Sequence, residues 1–281
     1  MITGNTGALS SSNADFQRSI LDLYNERVKE IILFLTFIND MAATDTRIIA
    51  YNNTTIEDAD FNISTNSDDT LDHILTKLNQ KQIHSNVKNI LSSSLILMLY
   101  NLVESITLKC LRLIHTNINS ENLHFNEAIE EIQKIWLDNQ DKVLKSQKKP
   151  MDLPTIVSAL KTIIDNATIE LPIASEEKGG NISGNELVNI TRTRYKLYTN
   201  EPIFMDHGIR ALNKTKDDRN HLAHGNKSFV GVGTSYIIGF SYNNVGNNNY
   251  TENLQNNTIR CMEEFLGYVE GYIERKGYKN S

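Results

Sequence analysis

The chain has 281 residues, 40% of them apolar and 22% charged, enough to bury a sizeable core in ordinary globular proportions. Its formal net charge of −6 excludes a protein that coats nucleic acid by bulk positive charge. Four prolines favour helices over a β-sandwich, and two cysteines are too few for a disulfide framework, so buried thiols in a reducing compartment are expected.

Residues 1–13 hold Gly, Ser and Thr without a basic start or an apolar run, so they read as a flexible segment and not as a secretory signal. From Phe16 through Ile38, apolar side chains at Ile20, Leu23, Val28, Ile31, Ile32 and Leu35 recur at helical spacing. Residues 52–76 carry six acids and no Lys or Arg among many Asn, Ser and Thr, which predicts an acidic loop or insertion. A long helix is expected over Ser85–His115, apolar almost all round from Leu91 to Leu113 and therefore central to the core. Its most apolar run, Leu95–Tyr100, is only six residues long before Asn101, which reads as too short for a membrane span and points to a cytoplasmic protein.

A third helix covers about Ser120–Ser146 and stops near the basic run 145–149 and Pro150. A short helix follows over Leu153–Ile164, then a Gly-containing loop over Pro172–Gly184. Ser183-Gly184-Asn185-Glu186 has the form of a capping box and opens a helix to about Tyr198. Another short helix begins near Asp217 and ends at Gly225, a fitting C-terminal cap; His207, before it, reads as a turn residue. Loose alternation over Ser228–Ser241 around Gly231, Gly233 and Gly239 predicts a small β-hairpin in the C-terminal third. Residues 243–249 form an Asn-rich loop, and an amphipathic helix over Leu254–Tyr272 closes the chain. With no internal repeat or Pro-rich linker, residues 14–281 read as a single all-α domain.

The most specific feature is Arg219-Asn220-His221-Leu222-Ala223-His224-Gly225. On a helix, Asn220 and His224 are four apart and share a face, with Arg219 beside them. Histidine can take a proton from a ribose 2′-hydroxyl near neutrality. Arginine, permanently charged and forked, holds phosphate oxygens as negative charge accumulates, and asparagine can orient either group. The bland alternative is a polar pair tying helices together. Between Glu186 and Val230 the chain carries a net +3, against −9 elsewhere, and Lys214, Lys216 and Lys227 are the local candidates for RNA contact. Glu104, three residues after Asn101 in an apolar helix, would be costly inside unless paired and is a candidate support for Arg219 or His224. His221 is a neighbour at the site. No Cys/His spacing fits zinc, no paired aspartates suggest a magnesium nuclease, and no phosphate-binding Gly-rich loop is present, so neither metal nor cofactor is expected.

Arg-x4-His followed by Gly, in the order "LDLYNERVKEI", "LYNLVESI", "SGNELVNI", "RNHLAHGNKSF" and a final long helix, resembles the HEPN superfamily, in a standalone prokaryotic branch of defence and toxin–antitoxin settings. The resemblance runs from about Asp15 to Tyr278. It implies a bundle of long antiparallel helices and a homodimer in which two motifs form one composite cleft. It also implies a metal-independent endoribonuclease leaving 2′,3′-cyclic phosphate and 5′-hydroxyl ends, with Arg219, Asn220 and His224 as catalytic residues. A toxin or anti-phage role implies a neutralising or activating partner protein. The alternative is a non-catalytic module binding nucleotide, RNA or a partner. Related toxins silenced by a nucleotidyltransferase carry Tyr two places after the motif His; here that place is Asn226 and the first later Tyr is Tyr236, which speaks against that mode of control.

Overall fold

The computed structural model describes residues 17–38, 40, 67–146, 158, 160, 168–172, 182–198, 205–237 and 250–280. Among these residues the fold is helical, and extended pairing is confined to two isolated bridges, His124 with Thr168 and Ala128 with Lys279. The elements are α1 (17–38), α2 (Ser67–Ser120), a 3-10 turn at Phe125–Glu127, α3 (Glu130–Ser146), α4 (Gly184–Val188) continuing as a π-turn over Asn189–Arg194, α5 (Met205–Ala223), α6 (Phe229–Ile237) and α7 (Tyr250–Glu274). They group into two compact units. One takes the described residues within Met1–Glu26, Asn101–Asn213 and Asn257–Ser281, the other those within Arg27–Tyr100 and Lys214–Asn256.

In the first unit, Ile20 and Tyr24 on one face of α1 are buried, as are Leu102, Val103, Ile106, Leu111, Ile114 and Ile118 of α2 and Phe265, Val269 and Tyr272 of α7. Polar groups fix the register. The Gln17 amide donates to Glu270 Oε1 at 2.9 Å, and the Tyr24 hydroxyl donates to the Ile259 carbonyl at 3.2 Å. Residue number rises on α1 as it falls on α7, so the two helices are antiparallel. Beyond α2 the chain is tied back by Asn119, whose amide exchanges two 2.8 Å hydrogen bonds with the Leu171 backbone. The C-terminal residues close over the turn before α3, through Ile129 N–H to Tyr278 O (3.0 Å) and Asn280 N–H to Glu127 O (2.8 Å). Glu121 receives Lys276 and Lys279 there.

In the second unit, Ile31, Ile38, Leu95, Ile96, Leu99, Val232 and Leu254 are buried. Helix α6 lies against α2 through small groups. The Ser93 hydroxyl donates to the Phe229 carbonyl at 2.6 Å, and a Cβ on Gly233 would fall 1.9 Å from the Asn89 carbonyl oxygen. Only glycine permits that approach.

Several boundaries differ from those read off the sequence. The hairpin expected from Ser228 is, over Phe229–Ile237, helix α6; residues 238–241 lie outside the described residues. The alternation misleads because Gly231 and Gly233 look like strand punctuation. Ser228 in fact caps a helix, its hydroxyl accepting from the Gly231 N–H at 3.0 Å, and Gly233 serves helix contact. Helix α2 starts at Ser67, so the last part of the acidic stretch 52–76 is helical, while 52–66 lies outside the described residues. Helix α5 begins at Met205, twelve residues before Asp217, which puts His207 within a helix and not a turn. The third predicted helix begins at Glu130, after a turn at residues 121–129. The Ser183 hydroxyl accepts from the Glu186 N–H at 3.1 Å, as the capping pattern predicts. Residues 1–13, 147–157 and 243–249 lie outside the described residues.

Ser85–Ser120 is long and apolar enough to cross a membrane, contrary to the estimate from its six-residue apolar core alone. Just over half of its most apolar window, 56%, is buried inside the protein, as in a core helix. Cys110 and Cys261 are both buried and unbridged, as expected. Burial pushes the Cys110 thiol well above its ordinary value and, with Glu264, pushes Cys261 up to about 12.

Candidate functional site

The motif occupies the last turn of α5 and the turn that ends it. Gly225 stands at φ +65°, and the helix closes with the two hydrogen bonds of a Schellman motif: Asn226 N–H to His221 O at 3.0 Å and Gly225 N–H to Leu222 O at 3.3 Å. His224 is thus the capping residue, its own N–H still bonded to Asn220 O at 3.0 Å. The backbone is fixed by main-chain bonds while the imidazole is exposed. Among the described residues nothing hydrogen-bonds to that ring.

Arg219 is half-buried one and a half turns earlier. Its guanidinium lies over the ring of Tyr100, 4.8 Å from the centroid, and Tyr100 is only 1% exposed. From the side, Arg219 Nη1 donates to the neighbouring Asn220 Oδ1 at 3.0 Å. A guanidinium over an aromatic face gains about 0.5–2 kcal/mol, more as water is excluded. Among the described residues no carboxylate pairs with Arg219, and its one side-chain hydrogen bond, to Asn220, uses one of its five N–H donors. The carboxylate next to it in sequence, Asp218, is buried and faces elsewhere: Lys214 meets it at 2.7 Å one turn back on the same helix.

The other sequence candidates fall as follows. His221 is half-buried, and its carbonyl anchors the terminal turn. Lys214 is engaged with Asp218, Lys216 is half-buried, and Lys227 is exposed just past the turn. Glu104 is half-buried on the part of α2 that belongs to the other unit. Among the described residues no cluster of three or more His, Cys, Asp or Glu converges on a point. Tyr100 and Asp218 were not among the candidates. Their signals were present: a lone tyrosine at the end of an aliphatic run, and an i, i+4 Lys–Asp pair flanking the motif.

A family model for the HEPN_MAE_28990-like HEPN domain matches residues 19–278, nearly the whole chain. The chain belongs to this HEPN family. The match takes in α1 through α7 and both compact units. No curated protein and no solved structure gives a match. The HEPN superfamily includes ribonucleases, and the helical fold above agrees with its all-α architecture.

Proposed function

We propose that this HEPN protein is a metal-independent endoribonuclease in which His224 is the general base, Arg219 stabilises the transition state and Asn220 holds Arg219 in place. The observation carrying this reading is Arg219 itself: a cation fixed by an aromatic face and an amide, with no carboxylate claiming its charge among the described residues. A guanidinium so held keeps its charge for an anionic ligand. Arg275, over Tyr272 and on the Leu197 carbonyl, is held in a similar way away from the motif. What sets Arg219 apart is the exposed His224 one and a half turns further along the same helix. The exposed imidazole at a rigid turn supplies the complementary group.

In the reaction, His224 removes the ribose 2′-hydroxyl proton as the 2′-oxygen bonds to the adjacent phosphorus. The bond from phosphorus to the 5′-oxygen breaks. The departing oxygen takes a proton from the second histidine of a composite cleft, formed by two motifs in a homodimer. The products are a 2′,3′-cyclic phosphate and a 5′-hydroxyl. Arg219 meets the charge that builds on the non-bridging oxygens, where such donors contribute roughly 10²–10³ in rate. Lys216 and Lys227 would add RNA contact from the flank. We place the activity in a cytoplasmic toxin or anti-phage effector with a neutralising or activating partner protein.

Purified protein incubated with RNA in EDTA, beside His224→Ala and Arg219→Ala, tests the enzyme. The expected result is cleavage by the parent and its loss in both variants. A folded dimer that binds RNA without cleaving it would favour a non-catalytic module. A monomer by light scattering at micromolar concentration would remove the composite site. Unimpaired growth on expression across several hosts would count against the toxin role alone.

A further inference from the structure

Arg219 is a flexible side chain, and an arginine that must meet a phosphate at one point gains from being held before the ligand arrives. The means of holding it come from outside the motif. Tyr100 is the last residue of the aliphatic run on α2, is buried to 1%, and presents its ring face to the guanidinium at 4.8 Å. We propose that Tyr100 is a positioning residue for Arg219: its ring face is the support against which the guanidinium is held, while Asn220 takes one N–H, so that the group is in place when the phosphate arrives. The inference rests on the ribonuclease reading of the same site.

The geometry divides the work. A ring face restrains tilt without using any N–H donor, since the attraction is between the cation and the π cloud. The amide oxygen at 3.0 Å uses one donor and sets the heading. Neither contact uses the remaining donors. An acid in the same place would also hold the arginine, but would neutralise it and consume two donors in a bidentate pair. The aromatic support therefore keeps both charge and hydrogen-bonding capacity. Because Tyr100 cannot reach the substrate through Arg219, its removal should act on the rate and leave RNA binding nearly unchanged.

The test compares Tyr100→Phe, which keeps the ring, with Tyr100→Leu, which keeps apolar bulk and removes the π face. Tyr100→Phe is expected to cleave RNA within about 3-fold of the parent. Tyr100→Leu is expected to lose about 10–100-fold in kcat with KM and RNA affinity within about 3-fold. In the Arg219→Ala background, Tyr100→Leu is expected to cost nothing further, because the two act as one unit. NMR of the Arg219 side chain gives a readout independent of turnover: ring-current shifts of its methylene and Nε protons present in the parent and in Tyr100→Phe, absent in Tyr100→Leu. Tyr100→Met, a second apolar side chain without a ring, guards against a Tyr100→Leu variant that fails to fold, and should lose rate in the same way.

If the parent cleaves and a folded Tyr100→Leu cleaves equally fast, the Tyr100 inference fails and the ribonuclease reading stands. Equal losses in Tyr100→Phe and Tyr100→Leu would also overturn it, since the ring would then not be the acting part. If the parent does not cleave while the ring-current shifts are present, it is the ribonuclease reading that fails, and the positioning role falls with it.

Discussion

His115 and His224 are the same residue type in opposite circumstances. His115, on α2 in the first unit, is 2% exposed and fully engaged: Nδ1 donates to the Pro172 carbonyl at 2.7 Å, which leaves Nε2 to accept the Tyr195 hydroxyl, also at 2.7 Å. His224, at the end of α5 in the second unit, is exposed, and only its backbone is tied down. A histidine whose two nitrogens are both spoken for, in a dry site, joins the loop at Pro172 and the end of the π-turn to α2. One whose main chain is locked and whose ring is open can exchange a proton with a ligand. On the proposed function, the structural and chemical uses of imidazole are told apart by which part of the residue the fold restrains.

The sharpest way to break this contrast is to remove both rings in turn. His224→Ala should lower RNA cleavage by about 10²–10⁴-fold with melting unchanged. His115→Ala should do the reverse, destabilising by about 2–4 kcal/mol because it opens a cavity in the core and removes the imidazole that accepts from the buried Tyr195 hydroxyl, while activity per folded molecule is kept. Chemical denaturation and single-turnover cleavage measure the two effects. Cleavage lost in a folded His115→Ala, or stability lost in His224→Ala, would erase the distinction.

Within the second unit, Gly233→Ala forces a methyl into the Asn89 backbone and should cost about 1–3 kcal/mol, seen as a lower denaturation midpoint. At the motif, Gly225→Ala meets nothing within 4 Å, so its cost comes only from the +65° φ. We expect about 1 kcal/mol and looser placement of His224, read as a lower kcat with melting only slightly reduced. The smallest effect belongs to the first unit and has a pH signature. Burial works upward on the Glu121 carboxyl, but Lys276 and Lys279 outweigh it and hold it below its ordinary value. The stability this gives is present above the unfolded carboxylate value and lost as pH falls through the lowered folded one. Acid should therefore loosen the C-terminal closure before the His224 turn, whose bonds are main-chain. Amide exchange at Ile129 and Asn280 against Asn226 would show the order, and Glu121→Gln should abolish the pH dependence.

Much of the fold was legible because helical periodicity and capping chemistry are local. Ile20 and Ile31 of the predicted stripe are buried on α1, although Ile32 is half exposed and Tyr24, outside that reading, is buried; Ser183 and Gly225 mark real helix ends. What failed was whatever depended on a distant neighbour. Gly233 reads as a strand breaker until Asn89 is found against it, and the start of α5 at Met205 has no strong sequence cap. The Arg219–His224 pattern could be located from sequence. The support under Arg219 could not, because Tyr100 is over a hundred residues away and looks like one more member of an apolar run.

In the proposed reaction His224 activates an internal 2′-hydroxyl while Arg219 meets the phosphate. The most direct measurement is the chemistry of the ends left on an RNA oligonucleotide cut in EDTA, by the parent and by His224→Ala, with a matched substrate lacking the 2′-hydroxyl at the cut. Cyclic phosphate and 5′-hydroxyl ends from the parent, silence from His224→Ala and an intact deoxy-substituted substrate are the predicted result. Ends bearing 3′-hydroxyls, or parental cleavage by His224→Ala, would contradict it.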